Sequence, residues 1–385
     1  MQKKLNHLLL VTLEDPYDPS SWSGTPYHMR LALERKVEKL SILSKLKPAR
    51  NPKDVVLRIV LGGKPPRYPL YLTAAAQERF ARQTADAIRK LKPDALLVIS
   101  SHCIVRLEPP KVPVFMLTDA PWITWREAYQ KFDRMPLLGQ RFARLEAEAA
   151  KRCTGLIFSS AWATKEAERL YEIGSDKLHV QPMGANWTPD LSDEELTAVI
   201  DNRPLDRLDL LYVGKDWERK GGPLAVQVAS DLKAAGVPNV CLHIVGCEPE
   251  IPKKDRDVIT VHGLLKAGVP EQAARLRKLF LESHFLIVPT RAECFGLVFV
   301  EAQAFGLPVI SRAVQAVPSI VLDGITGILE PDDAPAESYV RRIQNLVENP
   351  SEYRSMAHGA RKRYEDALSW DRFAEGIIQT IESSL

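Results

Sequence analysis

The stretch 285-FLIVPTRAECFGLVFVEAQAFG-306 is the densest pattern in the sequence. An apolar run of strand length, Phe285–Pro289, ends in a polar loop, and Gly296 opens a helical pattern over Leu297–Phe305. A continuous apolar strand joined to a helix is typical of a parallel sheet, because parallel strands need a long crossover connection. The stretch therefore predicts an α/β fold.

The same alternation of short apolar strands and helices continues on both sides of this stretch. In the first half, strands are predicted at Leu8–Leu13, Val37–Leu43, Val55–Val60, Ala95–Ser100, Val112–Leu117, Gly155–Ser159 and Lys177–Pro182, and helices at Tyr71–Leu91, Leu138–Arg152 and Ala161–Tyr171. In the second half, strands are predicted at Leu208–Val213, Val240–Val245, Val258–Val261, Phe285–Pro289 and Pro308–Ser311, and helices at Pro223–Ala234, Pro270–Ser283 and Leu297–Phe305. We expect two doubly wound, Rossmann-like sheets covered by helices on both faces.

The length of 385 residues fits two domains of ordinary size. The polar, proline-bearing segment Gly184–Arg207 interrupts the alternation, so we interpret it as an interdomain linker. The predicted domains are 1–189 and 190–365, with a helix at 366–385 that packs back on the first domain. Two such domains would face a central cleft lined by strand ends, where open α/β sheets bind ligands.

The near-neutral net charge of +3 hides two halves of opposite sign. Residues 1–189 hold 30 Lys and Arg against 19 Asp and Glu, a balance of +11, and residues 190–385 hold 22 against 30, a balance of −8. The composition excludes collagen-like and low-complexity chains, and we expect no nucleic-acid partner.

The cysteine pattern and the hydropathy of the sequence indicate the cellular compartment of the protein. The five cysteines show neither a CxxC pair nor zinc-type spacing, which fits a reducing cytosol. The apolar run Leu8–Leu13 is too short for a signal peptide or a membrane span. We expect a cytoplasmic protein, and peripheral attachment to the inner face of a membrane is left open.

Two glutamates flank the predicted helix start at Gly296. The backbone amides of Phe295, Gly296 and Leu297 would lack partners there and would attract ligand hydroxyls or phosphate oxygens. Glu293 precedes them, and Glu301 follows among apolar neighbours, where a carboxylate needs a partner. Two interpretations remain open: a ligand site, or a helix-start charge at Glu293 with Glu301 paired to a structural arginine.

A second pattern, 212-YVGKDWERKGG-222, follows another predicted strand. Lys215 and Lys220 surround a glycine-bearing turn that could cradle a diphosphate. The competing interpretation is a solvated charged loop. The chain contains no P-loop, GxGxxG or HExxH motif.

The first half offers weaker candidates. Gly24, in 18-DPSSWSGTPY-27, would let a phosphate or sugar approach the backbone. Asp119 ends a strand and either receives a substrate hydroxyl or caps the next helix. We predict a structural role for His102, and we interpret Cys294 as a small residue of the core.

A group of cations could face an anionic lipid surface or a phosphorylated acceptor, or could simply be a solvated face. It comprises Arg35, Lys36, Lys39, Lys45, Lys47, Arg50 and Lys53.

Taken together, these motifs resemble family-four retaining glycosyltransferases of the GT-B fold. Glu293 and Glu301 match the family's glutamate–seven residues–glutamate pattern, with its FG pair at Phe295–Gly296. Further matches are 159-SSAWATKEAERLYEIGSDKLHVQPMGAN-186 and 321-VLDGITGILEPDD-333. The likeness is strong over residues 153–385 and weaker before them.

The resemblance implies a nucleotide-sugar donor held mainly by the second domain. Glu301 would hold the ribose hydroxyls, Glu293 and the amides of Phe295–Leu297 the donor sugar, and Lys220 the diphosphate. Lys215 stands where the family usually has arginine.

Three further roles are implied. Gly24 would lie against the diphosphate, and His262 and Leu264 of the loop HGL would contact the base through their backbone. Asp119 stands where the family often has a catalytic histidine.

The implied activity is retaining transfer of a hexose to a hydroxyl of a glycan, glycolipid or small molecule. The donor is expected to be a UDP- or GDP-sugar rather than an ADP-sugar, with no cofactor and no metal. The alternatives are a GT-B epimerase or phosphorylase, and a nucleotide-sugar binding protein without transfer activity.

Overall fold

The computed structural model describes residues 4–47, 70–129, 136–266 and 268–385. The chain divides into two compact units: Met1–Pro182 together with Trp370–Leu385, and Met183–Ser369. The predicted junctions at 189/190 and 365/366 differ from these boundaries by a few residues.

The first unit is built on a parallel six-stranded sheet in the order β2-β1-β3-β4-β5-β6. Its strands are β1 His7–Val11, β2 Lys39–Leu43, β3 Ala95–Val98, β4 Val114–Thr118, β5 Gly155–Phe158 and β6 Leu178–Val180. Its helices are α1 Thr25–Lys36, α2 Ala74–Leu91, α3 Trp122–Ala128, α4 Pro136–Arg152, α5 Ala161–Tyr171 and, from the end of the chain, α13 Trp370–Glu382. Central strands β1 and β3 carry apolar side chains on both faces and are almost fully buried, as expected for a sheet covered on both sides.

The second unit repeats this plan with the order β12-β11-β10-β7-β8-β9, again all parallel. Its strands are β7 Leu208–Val213, β8 Val240–Val245, β9 Ile259–Gly263, β10 Phe285–Ile287, β11 Val309–Arg312 and β12 Gly327–Glu330. Its helices are α6 Asp193–Asp201, α7 Gly222–Ala234, α8 Pro270–Glu282, α9 Leu297–Ala304, α10 Val317–Ile320, α11 Ala336–Glu348 and α12 Pro350–Ala367. Short 3-10 turns lie at Ser21–Gly24, Leu70–Leu72, Ser101–Cys103, Ser175–Lys177 and Lys253–Val258.

These sheets confirm the predicted α/β class. The strands predicted within the described residues all form, with each end within two residues of its predicted position, whereas the predicted strand Val55–Val60 lies outside the described residues.

The segment Gly184–Arg207 is not a linker. It contains helix α6, which begins at a capping box formed by Ser192 and Glu195. Leu196 and Ile200 are buried and cluster with Ala357 of α12. The segment is polar because only one face of a nine-residue helix is buried, so two apolar residues four positions apart are enough to fix it.

Helix α13 closes the first unit by packing on α1. Phe373, Ile377 and Ile381 are fully buried. At the exposed rim, Arg35 pairs with Asp371 (2.7 Å), and Lys36 pairs with Glu375 (2.9 Å).

Within the described ranges, no helix combines the length and the apolar character needed to cross a bilayer. All five cysteines are free thiols.

Candidate functional site

The N-terminus of α9 presents backbone donors. Gly296 caps this helix with φ +93°, a left-handed conformation that favours glycine, and a β-carbon there would lie 2.6 Å from the Phe299 ring. The amides of Phe295, Gly296 and Leu297 donate no hydrogen bond to any described part of the chain. The donors expected at this helix start are therefore present.

Glu293, just before this helix, is buried and lies against two cations. Its Oε2 contacts Lys220 Nζ and lies 3.7 Å from Arg219 Nη1. The backbone N–H of Glu293 donates to Gln315 Oε1 (2.6 Å), which fixes the loop ahead of α9. The carboxylate is thus charge-compensated and held in one position.

The turn Gly214–Gly222 is anchored to the end of β10, which explains how Lys220 reaches Glu293. The Arg219 carbonyl accepts hydrogen bonds from the Arg291 amide (2.8 Å) and Thr290 Oγ1 (3.2 Å). Gly221 has φ +75°, and a β-carbon there would lie 2.1 Å from the Pro289 carbonyl oxygen. Such a close approach of two backbones requires glycine.

Lys215 differs from Lys220. Its side chain is exposed, and among the described residues it has no hydrogen bond or ion pair. The structure therefore brings one of the two predicted lysines to Glu293 and leaves the other facing solvent.

Glu301 lies one turn into α9. No described side chain or backbone group hydrogen-bonds its carboxylate, so the alternative of a structural arginine partner is wrong for this part of the chain. Burial raises the pKa of Glu301 to about 7, and the charge of Lys220 opposes that rise. A partly buried carboxylate without a partner is suited to accepting hydrogen bonds from a ligand.

The remaining candidates of the second unit lie at the end of β9: His262 is part of the strand rather than of a loop, and Leu264 directly follows it. His262 Nε2 lies 3.1 Å from His243 Nδ1. The Leu264 side chain is 49% exposed, as expected of a residue that would act through its backbone.

In the first unit, Gly24 caps α1 with φ +88°, and Trp22 and Ser23 before it also have positive φ. This run of left-handed residues turns the backbone sharply between β1 and α1.

Asp119 directly follows β4, and its carbonyl accepts a hydrogen bond from Ser159 Oγ (3.4 Å). Helix α3 begins at Trp122 with Pro121 at the N-cap, so the capping alternative for Asp119 is wrong.

His102 lies in an aromatic cluster and is partly buried. It stacks on Phe142 at 4.3 Å, and its Nδ1 lies 2.8 Å from Ser100 Oγ. Burial lowers the pKa of His102 to about 3. A histidine that stays neutral inside the core fits the structural role predicted for it, and the fully buried Cys294 likewise fits a core residue.

Three cations of the basic group of the first half form ion pairs within their own unit. Arg35 and Lys36 pair with α13, and Lys45 pairs with Asp15 (2.7 Å). Arg50 and Lys53 lie outside the described residues.

Sequence reasoning missed two side chains that contact Glu293. Arg219 lies inside the quoted pattern 212–222 and could have been singled out by its charge. Gln315 follows β11, 22 residues after Glu293, and no local signal marks it.

Comparison with known proteins supports the resemblance drawn from the motifs. Residues 193–363 match the family described as glycosyl transferases group 1. A D-inositol 3-phosphate glycosyltransferase of Xylanimonas cellulosilytica is 26% identical over 250 residues, covering 60% of this chain and 58% of the relative. A second, from Segniliparus rotundus, is 28% identical over 180 residues, covering 45% and 39%. The aligned part of this chain thus spans about 40–60% of the length of these two curated relatives.

Solved structures resemble the whole chain. Sucrose-phosphate synthase of Thermosynechococcus elongatus superposes with a TM-score of 0.67 at 18% identity, covering 98% of both chains. WaaG, a glycosyltransferase of lipopolysaccharide biosynthesis, gives 0.61 at 13% identity, covering 97% and 99%. Anabaena HepE in complex with UDP gives 0.59 at 14% identity, covering 98% and 100%. These likenesses confirm the predicted GT-B fold, and the family match over residues 193–363 confirms a resemblance to group 1 glycosyl transferases in that part of the chain.

Proposed function

We propose that this protein is a retaining glycosyltransferase that moves a hexose from a nucleotide sugar to an acceptor hydroxyl. The observation that carries the proposal is the partnerless carboxylate of Glu301 in the helix whose first amides, at Phe295–Leu297, are also unpaired. Lys220 and Glu293 complete the group with a cation and a second carboxylate. The match of residues 193–363 to glycosyl transferases group 1 supports the same assignment.

Each part of the site suits one part of the donor. Glu301 would accept hydrogen bonds from the ribose hydroxyls, and Glu293 with the helix amides would hold the sugar hydroxyls. The Lys220 ammonium has three N–H donors, so it would donate to the diphosphate while keeping its contact with Glu293. The backbone of His262 and Leu264 is proposed to hold the base, and the role of Gly24 toward the diphosphate stays a proposal from the motif resemblance.

The proposed reaction breaks the bond between the anomeric carbon and the diphosphate oxygen. The acceptor hydroxyl attacks from the face of the leaving group, and its proton passes to the departing diphosphate, so configuration is retained. Negative charge grows on the leaving group, where Lys220 and the α9 N-terminus stabilise it. Asp119, at the end of β4, would orient the acceptor. The proposed chemistry uses no cofactor and no metal ion.

The donor nucleotide is proposed to be UDP or GDP, with UDP tested first because solved HepE and TarM structures contain UDP. The acceptor is proposed to be a glycan or lipid-linked hydroxyl compound. A phosphorylated polyol belongs in the acceptor panel because the curated relatives are named for inositol phosphate.

The test combines donor binding with transfer. A thermal-shift and calorimetric screen of UDP-, GDP- and ADP-sugars should identify one donor that raises Tm. Glu301→Gln and Lys220→Met should each lower the affinity for that nucleotide sugar by about 10–100-fold, because hydrogen bonds to charged groups contribute ~1.5–3 kcal/mol.

Two matched variants serve as controls. Glu348→Gln removes an exposed glutamate of the same unit, and Lys215→Met removes the solvent-facing lysine; Glu348→Gln should bind the donor like wild type, and Lys215→Met should lose less affinity than Lys220→Met. Equal donor affinity in wild type, Glu301→Gln and Lys220→Met would exclude this site. Epimerisation without acceptor, or binding without turnover on every acceptor, would overturn the transferase assignment while keeping the donor site.

A further inference from the structure

A cluster of metal-ligand side chains lies on the second unit's sheet, separate from the group around α9. One ligand atom from each of Asp209, Cys241 and His243 lies within 4.8 Å of the other two. Asp209 is on β7, and Cys241 and His243 are on the adjacent β8. The proposed transfer reaction uses none of the three.

Strand geometry brings these residues together. Cys241 and His243 are two positions apart on one strand, so their side chains point to the same face of the sheet. Asp209 is the direct register partner of Cys241 in the parallel pair. The face is therefore set by backbone pairing and does not depend on a flexible loop.

The nitrogen–oxygen distance suits a small divalent cation. His243 Nε2 lies 3.4 Å from Asp209 Oδ1. Nitrogen and oxygen ligands about 2.0–2.1 Å from a tetrahedral zinc ion lie about 3.4 Å from each other. Cys241 and His243 are partly exposed, so an ion can enter from solvent.

Neighbouring groups contact the candidate ligands, as the hydrogen-bonding partners of metal ligands do in known metal sites. His243 Nδ1, the nitrogen turned away from Asp209, lies 3.1 Å from His262 Nε2 and 4.0 Å from Cys241 Sγ, and these contacts orient the ring. Arg207 Nε binds Asp209 Oδ2 at 2.8 Å, leaving Oδ1 for the ion. The Asp209 backbone N–H donates to His284 Nδ1 (3.0 Å).

We propose that Asp209, Cys241 and His243 form a zinc-binding site, with the fourth position open to water. A mixed sulfur, nitrogen and oxygen set matches the ligands that zinc takes in proteins. Binding requires the Cys241 thiolate, so one proton is released to solvent when the ion enters. The spacing of the cysteines gives no hint of this site, because the ligands come from two strands about 30 residues apart in the chain.

The test uses the full chain, freed of its purification tag and of metal by chelation, and titrated with Co²⁺. One Co²⁺ per chain should bind, with a near-ultraviolet thiolate-to-cobalt charge-transfer band, and Zn²⁺ should displace it. Cys241→Ser should lose the band, and His243→Ala should bind at least ten-fold more weakly. His262→Ala should weaken binding while keeping the band, as a positioning residue would.

Cys247 provides the matched control, since it is a second partly exposed thiol just beyond β8. Cys247→Ser should bind Co²⁺ like wild type. Zn²⁺ should raise the Tm of wild type and of Cys247→Ser but not that of Cys241→Ser, whose metal-free circular dichroism should match wild type. Absence of the band in wild type, its persistence in Cys241→Ser, or its loss in Cys247→Ser would each overturn the proposal.

Discussion

Glu301 has a raised pKa at the candidate site. Its pKa lies at about 7 in the folded protein, against 4.5 for an ordinary glutamate, because burial disfavours the charged form. The folded state therefore holds this proton more tightly between these values, and the free energy of unfolding falls as pH rises through that window. Below about pH 4.5 both states are protonated, so the penalty vanishes there.

Glu301→Gln removes this dependence. We expect the stability of the variant relative to wild type to grow from about zero near pH 4.5 to on the order of 2 kcal/mol at pH 8. Urea unfolding at several pH values measures it, with Glu348→Gln expected to track wild type throughout. A pH-independent difference would show that Glu301 titrates like an exposed glutamate.

At this scale the sequence predicted the residue types of the site but not their partners. Glu293, Lys220 and Gly296 lie within two short patterns, and their chemistry can be read from charge and from helix-start rules. The contact of Glu293 with Gln315 depends on where the loop after β11 folds back, which is a tertiary property. The role of Asp119 was ambiguous in the sequence because a carboxylate after a strand has the same sequence context whether or not it caps the next helix. Only the structure shows that the N-cap residue of α3 is Pro121 and not Asp119.

The turn at Gly221 joins the two motif-bearing elements β7–α7 and β10–α9. Gly221→Ala imposes a left-handed conformation on alanine and drives its β-carbon into the Pro289 carbonyl. We expect a loss of about 3 kcal/mol or more, since strained φ alone costs of order 1–3 kcal/mol. Gly236→Ala is the matched control, because its φ is +86° with open space around the β-carbon.

The difference between the two alanine variants isolates the close contact from the backbone strain. Both are measured by chemical unfolding of the intact chain. Equal losses in the two variants would mean that the backbones of this turn and of the β10 end separate readily.

Helix α6 is one of the elements that the sequence did not predict, together with β12, α11 and α12, and its stability is testable at its cap. The Ser192 side chain accepts from the Glu195 amide (3.2 Å), and Glu195 Oε2 accepts from the Ser192 amide (2.8 Å). Ser192→Ala should cost about 1 kcal/mol. Thr197→Ala, at an exposed position of the same helix, should change stability by less than about 0.5 kcal/mol. Hydrogen exchange over 193–201 should rise only in the Ser192 variant, and unchanged exchange there would mean that burial alone holds the helix.

The strands were predictable because each is a continuous apolar run between polar turns, as in Leu208–Val213, whose predicted and observed bounds coincide. Helix α6 was not, because nine residues with two buried positions carry too little periodicity to outweigh a polar, proline-flanked context. Its helical identity follows from the contact of Ile200 and Leu196 with α12, which lies about 150 residues later in the chain.

At the scale of the whole molecule, the structure reduces the charge difference that the two sequence halves suggest. The excess of cations in residues 1–189 is partly offset by acidic side chains of α13, at the other end of the chain. A count that cuts the chain in the middle assigns these acids to the wrong unit. The first unit's surface is therefore less basic than its sequence half.

The C-terminal segment Trp370–Leu385 should thus govern the stability of the first unit, although the second unit precedes it in the chain. Phe373→Ala removes a fully buried ring from the α1–α13 contact and should cost about 3–5 kcal/mol. Hydrogen exchange should rise in α1 and in β1, whereas α12, which ends only six residues before Phe373, should exchange as in wild type. Gln379→Ala, at an exposed position of α13, should leave every segment unchanged. Increased exchange confined to α12 would mean that the C-terminal helix belongs to the second unit, and the division of the chain would have to be redrawn.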